Sequence, residues 1–216
     1  MPKDTAKTGA STEREEPGPP HFAGAAFDVI AVAASAGGLR ALKQVLSALP
    51  GDFPAAIVIV QHLDPRHRSL MAEILSRSTA LKVKQGEEGD RLEPGTAYIA
   101  PPNRHLLVNP DGTLSLSMFE LVHFVRPSAD LLFESVAASY RERAIAVVLT
   151  GTGSDGSFGI DAIKKMSGTA IAQDEATSEF FGMPGAAIRT GHVDFVLPLE
   201  EIPSALVTLV MRGAIE

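Results

Sequence analysis

The sequence predicts an α/β domain: a doubly wound, mostly parallel sheet covered by helices on both faces, with an antiparallel β-hairpin added. Three observations carry this. Short, largely apolar runs recur along the chain, FDVIAVA at 27–33, AAIVIV at 55–60 and AIAVVLT at 144–150. A strand apolar on both sides belongs in a parallel sheet covered on both faces. Stretches with apolar residues at helical spacing alternate with these runs, and right-handed crossovers between such strands generate the doubly wound arrangement.

Taken in order, residues 1–24 are rich in Pro, Gly, Ser, Thr and charge. Such a segment buries too little apolar surface to offset its ordering entropy and is expected to be a disordered tail. The domain then occupies 25–216. The first strand, 27–33, ends in Gly37-Gly38, and Leu39, Leu42, Val45, Leu46 and Leu49 mark the helix that follows. The strand at 55–60 leads to a helix around 68–78. LKVKQ (81–85) and TAYIA (96–100) are strands by their alternating and β-branched character. LLVN and TLSLSM flank Pro110-Asp111-Gly112, a turn that closes a hairpin. A helix is expected over Ser128–Arg143, a buried strand over 144–150, and a helix near 157–167. TAIAQ (169–173), a helix near 184–190, VDFVL (193–197) and a helix from about Glu200 complete the chain.

Composition excludes several functions. There are no cysteines, so neither disulfides nor thiolate metal sites can form, and any nucleophile must be oxygen or nitrogen. The formal net charge of −7 argues against nucleic acid as a partner. The first twenty residues lack the apolar core of a secretory signal, and Phe22–Ala34 is too short to span a bilayer. No membrane insertion and a cytoplasmic location are expected. No pair of histidines has H-E-x-x-H or similar spacing, so no metal site is expected.

Ligands of such a sheet bind outside the carboxyl ends of its strands. Three polar residues fall there: Ser35 after the first strand, His62 after the second, and Asp155 after the apolar strand at 144–150. A serine nucleophile needs a base within reach, and the base needs an orienting carboxylate. As an orienter, Asp155 would admit Asn geometrically but not functionally. Each residue also has a plainer reading. Ser35 could cap the helix starting near Gly38, His62 could be a loop histidine, and Asp155 could cap the helix starting near Ser157. A competing motif covers the same ground. Gly151 to Gly156 reads G-x-G-x-x-G between a strand and a helix, with Asp174 about 20 residues on, the pattern of a dinucleotide site. Against it, Asp155 would set a carboxylate where the pyrophosphate must bind.

At these residues the chain resembles the catalytic domain of CheB, the protein-glutamate methylesterase of bacterial chemotaxis. The serine motif is similar at Ala33–Gly38, the Q-H pair at Gln61-His62, and the R-P-S-x-D-x-L-F segment at Arg126–Phe133. The L-T-G-x-G-x-D-G segment is matched at Leu149–Gly156, and the A-Q-x-E-A and F-G-M-P segments at Ala172–Ala176 and Phe181–Pro184. The resemblance implies Ser35 as nucleophile, His62 as general base, Asp155 as orienting acid, and backbone amides near Ala36 and Thr152 as the oxyanion site. It implies hydrolysis of glutamyl γ-methyl esters, with glutamine deamidation open by the same route, and no cofactor. Methylated chemoreceptor helices are the implied partner, with a methyltransferase or a receiver protein acting in trans. Ala33, Ala36 and Thr152 depart from the family's Gly, Thr and Met. The family's usual receiver domain has no counterpart in the short tail. The rival readings are a regulatory module that has lost activity, for which Ala36 and Thr152 speak, and the dinucleotide domain.

Overall fold

The computed structural model describes residues 18–62, 69–122 and 125–212. The expectations for the tail up to residue 17, for the start of the helix at 68, and for His67 and His123 lie outside the described residues. The elements in order are β1 (Val29–Ala34), α1 (Gly38–Ser47), β2 (Ala56–Gln61), α2 (Met71–Ser76), β3 (Lys82–Gln85), β4 (Thr96–Ile99), β5 (His105–Val108), β6 (Leu114–Ser117) and α3 (Ala129–Tyr140). Then come β7 (Ala144–Val148), α4 (Ser157–Lys165), β8 (Thr169–Gln173), α5 (Gly182–Arg189), β9 (Phe195–Leu197) and α6 (Ile202–Arg212).

Seven strands form one sheet in the order β3-β4-β2-β1-β7-β8-β9, and every pairing in it is parallel. The alternation along β1 explains its two covered faces. Ile30, Val32 and Ala34 belong to a core that includes Leu42 and Val45 of α1, Leu75 of α2 and Leu206 of α6. Val29, Ala31 and Ala33 belong to a second core with Phe133 and Val136 of α3 and Ile160 of α4. This is the period of two of a strand, read out as two apolar faces. The antiparallel hairpin β5–β6 stands apart from the sheet and contributes Leu106 and Leu114 to the second core.

Two features differ in detail from the sequence reading. The helix expected to reach Arg143 stops at Tyr140, where Arg141 takes a positive φ of 51° and a single 3₁₀ turn over Arg141–Arg143 leads into β7. Residues 86–95 return the chain from β3 to a parallel β4 without a helix, and this stretch leans on the hairpin through an Arg91–Thr113 bridge.

Asp28, which interrupts the first apolar run, is fully buried one residue before β1. It accepts hydrogen bonds from the Arg143 guanidinium, at 2.9 Å from Nη2 and through Nε as well, and from the Phe22 amide at 2.8 Å. His21 Nδ1 lies 2.7 Å from its other oxygen. The pair clasps the amino ends of β1 and β7, and it holds residues 21–22 of the segment read as tail against the domain. The catalytic possibilities lie at the opposite edge.

Candidate active site

β1 and β2 are adjacent, and β1 also pairs with β7, so the segments that follow these three strands meet at one edge. Here β1 is the strand from which the chain departs to both sides of the sheet, the switch point where α/β domains bind ligands.

Ser35 is the first residue after β1. Its amide donates to the Thr150 carbonyl at 3.0 Å, which carries the β1–β7 pairing one step past the strands. Its carbonyl accepts from Gly38 N–H at 2.9 Å and from Gln61 Nε2 at 2.8 Å. The N-cap of α1 is Gly37, with φ 77° and no side-chain cap. The Ser35 hydroxyl is therefore not spent on capping, and it has no hydrogen-bond partner among the described residues. A left-handed turn at residue 37 suits glycine. Gly38 is required for another reason: a Cβ there would lie 2.0 Å from Gln61 Oε1.

His62 follows β2, with its amide bonded to the Ala34 carbonyl at 3.1 Å. Gln61 Nε2 reaches both the Ser35 and His62 carbonyls, at 2.8 and 3.0 Å, and so clamps the two segments to each other. His62 Nε2 is 2.8 Å from Asp155 Oδ2. With Nε2 engaged by the carboxylate, Nδ1 is the nitrogen left to act on a neighbouring hydroxyl. Ser35 and His62 line the same cleft, together with Leu39, Arg40 and Lys43 on the exposed face of α1.

Asp155 is 4% exposed. Its oxygens collect three further donors, all from the start of α3: Ser128 Oγ at 2.8 Å and Asp130 N–H at 3.2 Å on Oδ1, and Ala129 N–H at 2.6 Å on Oδ2. Burial alone would raise its pKa; the hydrogen bonds from His62, Ala129 and Ser128 outweigh burial and hold the carboxyl below its ordinary range. The N-terminus of a helix is favourable for a negative charge. The plainer reading, in which Asp155 caps the helix after it, does not hold. That cap is Gly156, at φ 98° and with no side-chain bond, and Asp155 caps nothing in α4.

The Ala36 and Thr152 amides have no acceptor among the described residues, and Ala36 lines the cleft beside Ser35. Thr152 is exposed in the turn after β7. Further side chains complete the support. Thr150 Oγ1 donates toward the Ala36 carbonyl at 3.1 Å and accepts from Phe180 N–H at 2.9 Å. Gln173 Oε1 accepts the Thr150 amide at 2.8 Å. Arg126 is a clamp, with Nε and Nη2 on Asn103 Oδ1 and Nη1 on the Met118 and Phe119 carbonyls. Histidines 21 and 192 pair with Asp28 and Asp161 respectively. Among the described residues no group of three or more acidic or histidine side chains could hold a metal ion.

Residues 30–206 match the family model described as CheB methylesterase. The chain belongs to the CheB methylesterase family. It is 46% identical over 188 residues to a protein-glutamate methylesterase/protein-glutamine glutaminase of Moorella thermoacetica, covering 85% of this chain and 44% of that protein. A putative member from Leptospira interrogans is 42% identical over 183 residues, covering 85% of this chain and 95% of the relative. The chain thus spans under half of one relative and nearly all of the other. The crystal structure of the Thermotoga maritima CheB methylesterase catalytic domain superposes with a TM-score of 0.83 at 38% identity, over 86% of this chain and all of that one. Membership in a family of carboxylic ester hydrolases leaves the dinucleotide reading of Gly151–Gly156 without support. The glycines serve the turn instead: Gly153 and Gly156 have φ of 87° and 98°. Among the described residues no helix is long and apolar enough to cross a membrane.

Proposed function

We propose that this protein is a serine esterase that hydrolyses γ-methyl esters of glutamyl side chains on methylated protein helices, chemoreceptors being the substrate of choice. The observation that carries the reading is the His62–Asp155 hydrogen bond, seated on the amides of α3, beside a serine hydroxyl with no structural duty. Ser35 Oγ attacks the ester carbonyl carbon, and its proton passes to His62 Nδ1. Asp155, ionised and bonded at Nε2, holds the imidazole and stabilises its charged form. The oxyanion of the tetrahedral intermediate takes the Ala36 and Thr152 amides, whose shared role as donors survives the side-chain changes at both positions. Collapse breaks the bond to the methoxy oxygen, which leaves as methanol with the proton from His62. Water then gives a proton to His62 and attacks the acyl carbon; collapse breaks the bond to Ser35 Oγ, which takes the proton back from His62, and glutamate is released. With a glutaminyl amide the same steps release ammonia.

The test is methanol release from methylated receptor membranes and turnover of an activated ester by the purified protein. Ser35→Ala should lower both by about 10⁴-fold or more, as triad losses do. Retention of more than about a tenth of wild-type turnover in this variant would remove Ser35 from the mechanism.

A further inference from the structure

His105 is the first residue of β5, fully buried, and far from the cleft in sequence. Both of its ring nitrogens are bonded to main chain. Nδ1 lies 3.1 Å from the amide nitrogen of Ser128, and Nε2 lies 3.1 Å from the carbonyl oxygen of Glu120. A backbone N–H can only donate and a carbonyl can only accept. Nδ1 must therefore carry the lone pair and Nε2 the proton, so the two partners fix one neutral tautomer. An imidazolium has a proton on both nitrogens, and its Nδ1–H would face the Ser128 N–H donor to donor. Burial, the leading cause, and the nearby Arg126 charge hold His105 below the ordinary histidine range, which keeps it neutral.

Ser128 is the N-cap of α3 and is itself fully buried. Its hydroxyl points to Asp155 while its amide points to His105, so the residue is held from both sides. The next two amides, of Ala129 and Asp130, also converge on Asp155. The direction of these three donors depends on how the first residues of α3 are seated. Ser128 N–H faces away from Asp155 and has a buried acceptor of its own, His105.

We propose that His105 is a positioning residue for the catalytic carboxylate, its Nδ1 accepting the Ser128 amide and so aiming the α3 donors at Asp155, and through Asp155 the imidazole of His62. This rests on the triad reading above. His105 touches neither substrate nor the reacting atoms. It acts at two removes, and a small tilt of the α3 cap would swing the His62 ring away from Ser35.

The two nitrogens can be tested separately. In His105→Asn the amide oxygen can take the place of Nδ1, keeping the acceptor for Ser128. In His105→Gln the longer side chain reaches toward the Nε2 position and leaves the Ser128 amide without its acceptor. Turnover of a small activated ester is measured for both, with melting temperatures alongside. The Asn variant should keep kcat within about threefold, while the Gln variant loses about 10- to 100-fold, the scale of a catalytic group misplaced by an ångström. KM should change less than about twofold in either, because the cleft walls are untouched. Equal losses in the two variants, or a loss confined to KM, would overturn the proposal. Should neither variant fold, ¹⁵N-histidine spectra of the wild-type protein decide: His105 must show a protonated Nε2 and a bare, hydrogen-bonded Nδ1 at neutral pH. A protonated Nδ1 would overturn the assignment. Wild-type turnover surviving in Ser35→Ala would instead defeat the triad reading while the ¹⁵N signature of His105 stayed as described.

Discussion

Asp155 concentrates the chemistry of the site in two oxygens. Oδ2 accepts from His62 and from the Ala129 amide, and Oδ1 accepts from the Ser128 hydroxyl and the Asp130 amide. Each oxygen therefore meets a backbone N–H, and a backbone N–H cannot be turned round. The sequence-based expectation that Asn would fit geometrically is revised by this arrangement. In Asp155→Asn, whichever position the NH₂ group takes, it faces a backbone donor. We expect kcat to fall by about 10⁴-fold, through loss of the tautomer and charge support. Stability should fall as well, by about 1–3 kcal/mol for an unsatisfied buried donor. Steady-state kinetics with thermal unfolding on the same preparation checks both. A variant with wild-type melting temperature would mean that the α3 amides find another acceptor. A variant losing stability but keeping kcat would make the carboxylate a mere cap for α3. The three candidates were legible in the sequence because each lies in the segment that follows an apolar strand on the ligand-binding edge. Gln61, Ser128 and His105 were not legible as supports. The partners of His105 lie 15 and 23 residues away, and those of Ser128 lie 23 and 27 residues away, so no local spacing marks them.

The elements follow from the apolar pattern, and their arrangement follows from contacts that the pattern does not contain. Every apolar run of the central strands appears as a buried strand, since complete apolarity leaves a run no solvent-facing side. The insertion of β4 between β3 and β2 is not readable from chain order, which would set Lys82–Gln85 beside β2; instead that partly exposed strand takes the edge and the buried Thr96–Ile99 the interior. Close approach of helices is another such property. Gly159, in the first turn of α4, donates its amide to Asp130 Oδ1 of α3 at 2.8 Å. A Cβ on Gly159 would lie 2.5 Å from Phe133 Cβ and 3.1 Å from the Asp130 carbonyl oxygen. In an exposed helix Gly→Ala is favourable by about 1 kcal/mol. Here the clash should reverse the sign, since over-packing costs roughly 1–3 kcal/mol. Gly159→Ala should therefore melt a few degrees lower than wild type, and its kcat should fall because α3, which seats Asp155, must move. Calorimetry and ester turnover test this together. A higher melting temperature with full activity would show that the two helices do not depend on that contact.

At the scale of the whole molecule, three buried aspartates shape stability against pH, and they do not act in the same direction. Asp28 and Asp155 are both pushed up by burial, yet their hydrogen bonds prevail and hold them below the ordinary 3.8. The stability they contribute is present above that value and is lost as the pH falls through their lower folded values. Asp130 behaves oppositely. Burial, chiefly, and the neighbouring Asp155 charge push it up to about 6, against the opposing pull of the Gly159 and Gly156 amides. Between 3.8 and about 6 the folded protein keeps a proton on Asp130 that the unfolded chain has released. The folded state then binds more protons, so stability must decline as pH rises through that window and level off above it. Wild-type protein should accordingly melt several degrees higher near pH 4.5 than its other groups alone would allow, with that margin gone by about pH 7. Asp130→Asn isolates the effect, because the amide oxygen can still accept the Gly159 N–H while the group no longer titrates. The difference in melting temperature, variant minus wild type, should rise steadily from about pH 4 to about pH 6 and then stay constant, and at neutral pH the variant should be the more stable. Taking the difference removes the contributions of Asp28, of Asp155 to first order, and of the surface carboxylates. A difference that is flat across that range would mean that Asp130 ionises at its ordinary pH and that the carboxyls at the start of α3 do not share the burden of one charge. A difference that falls would mean that the ionised Asp130 stabilises the fold, and the α3–α4 contact would then have to be reckoned as an anion site rather than as the seat of a neutral acid.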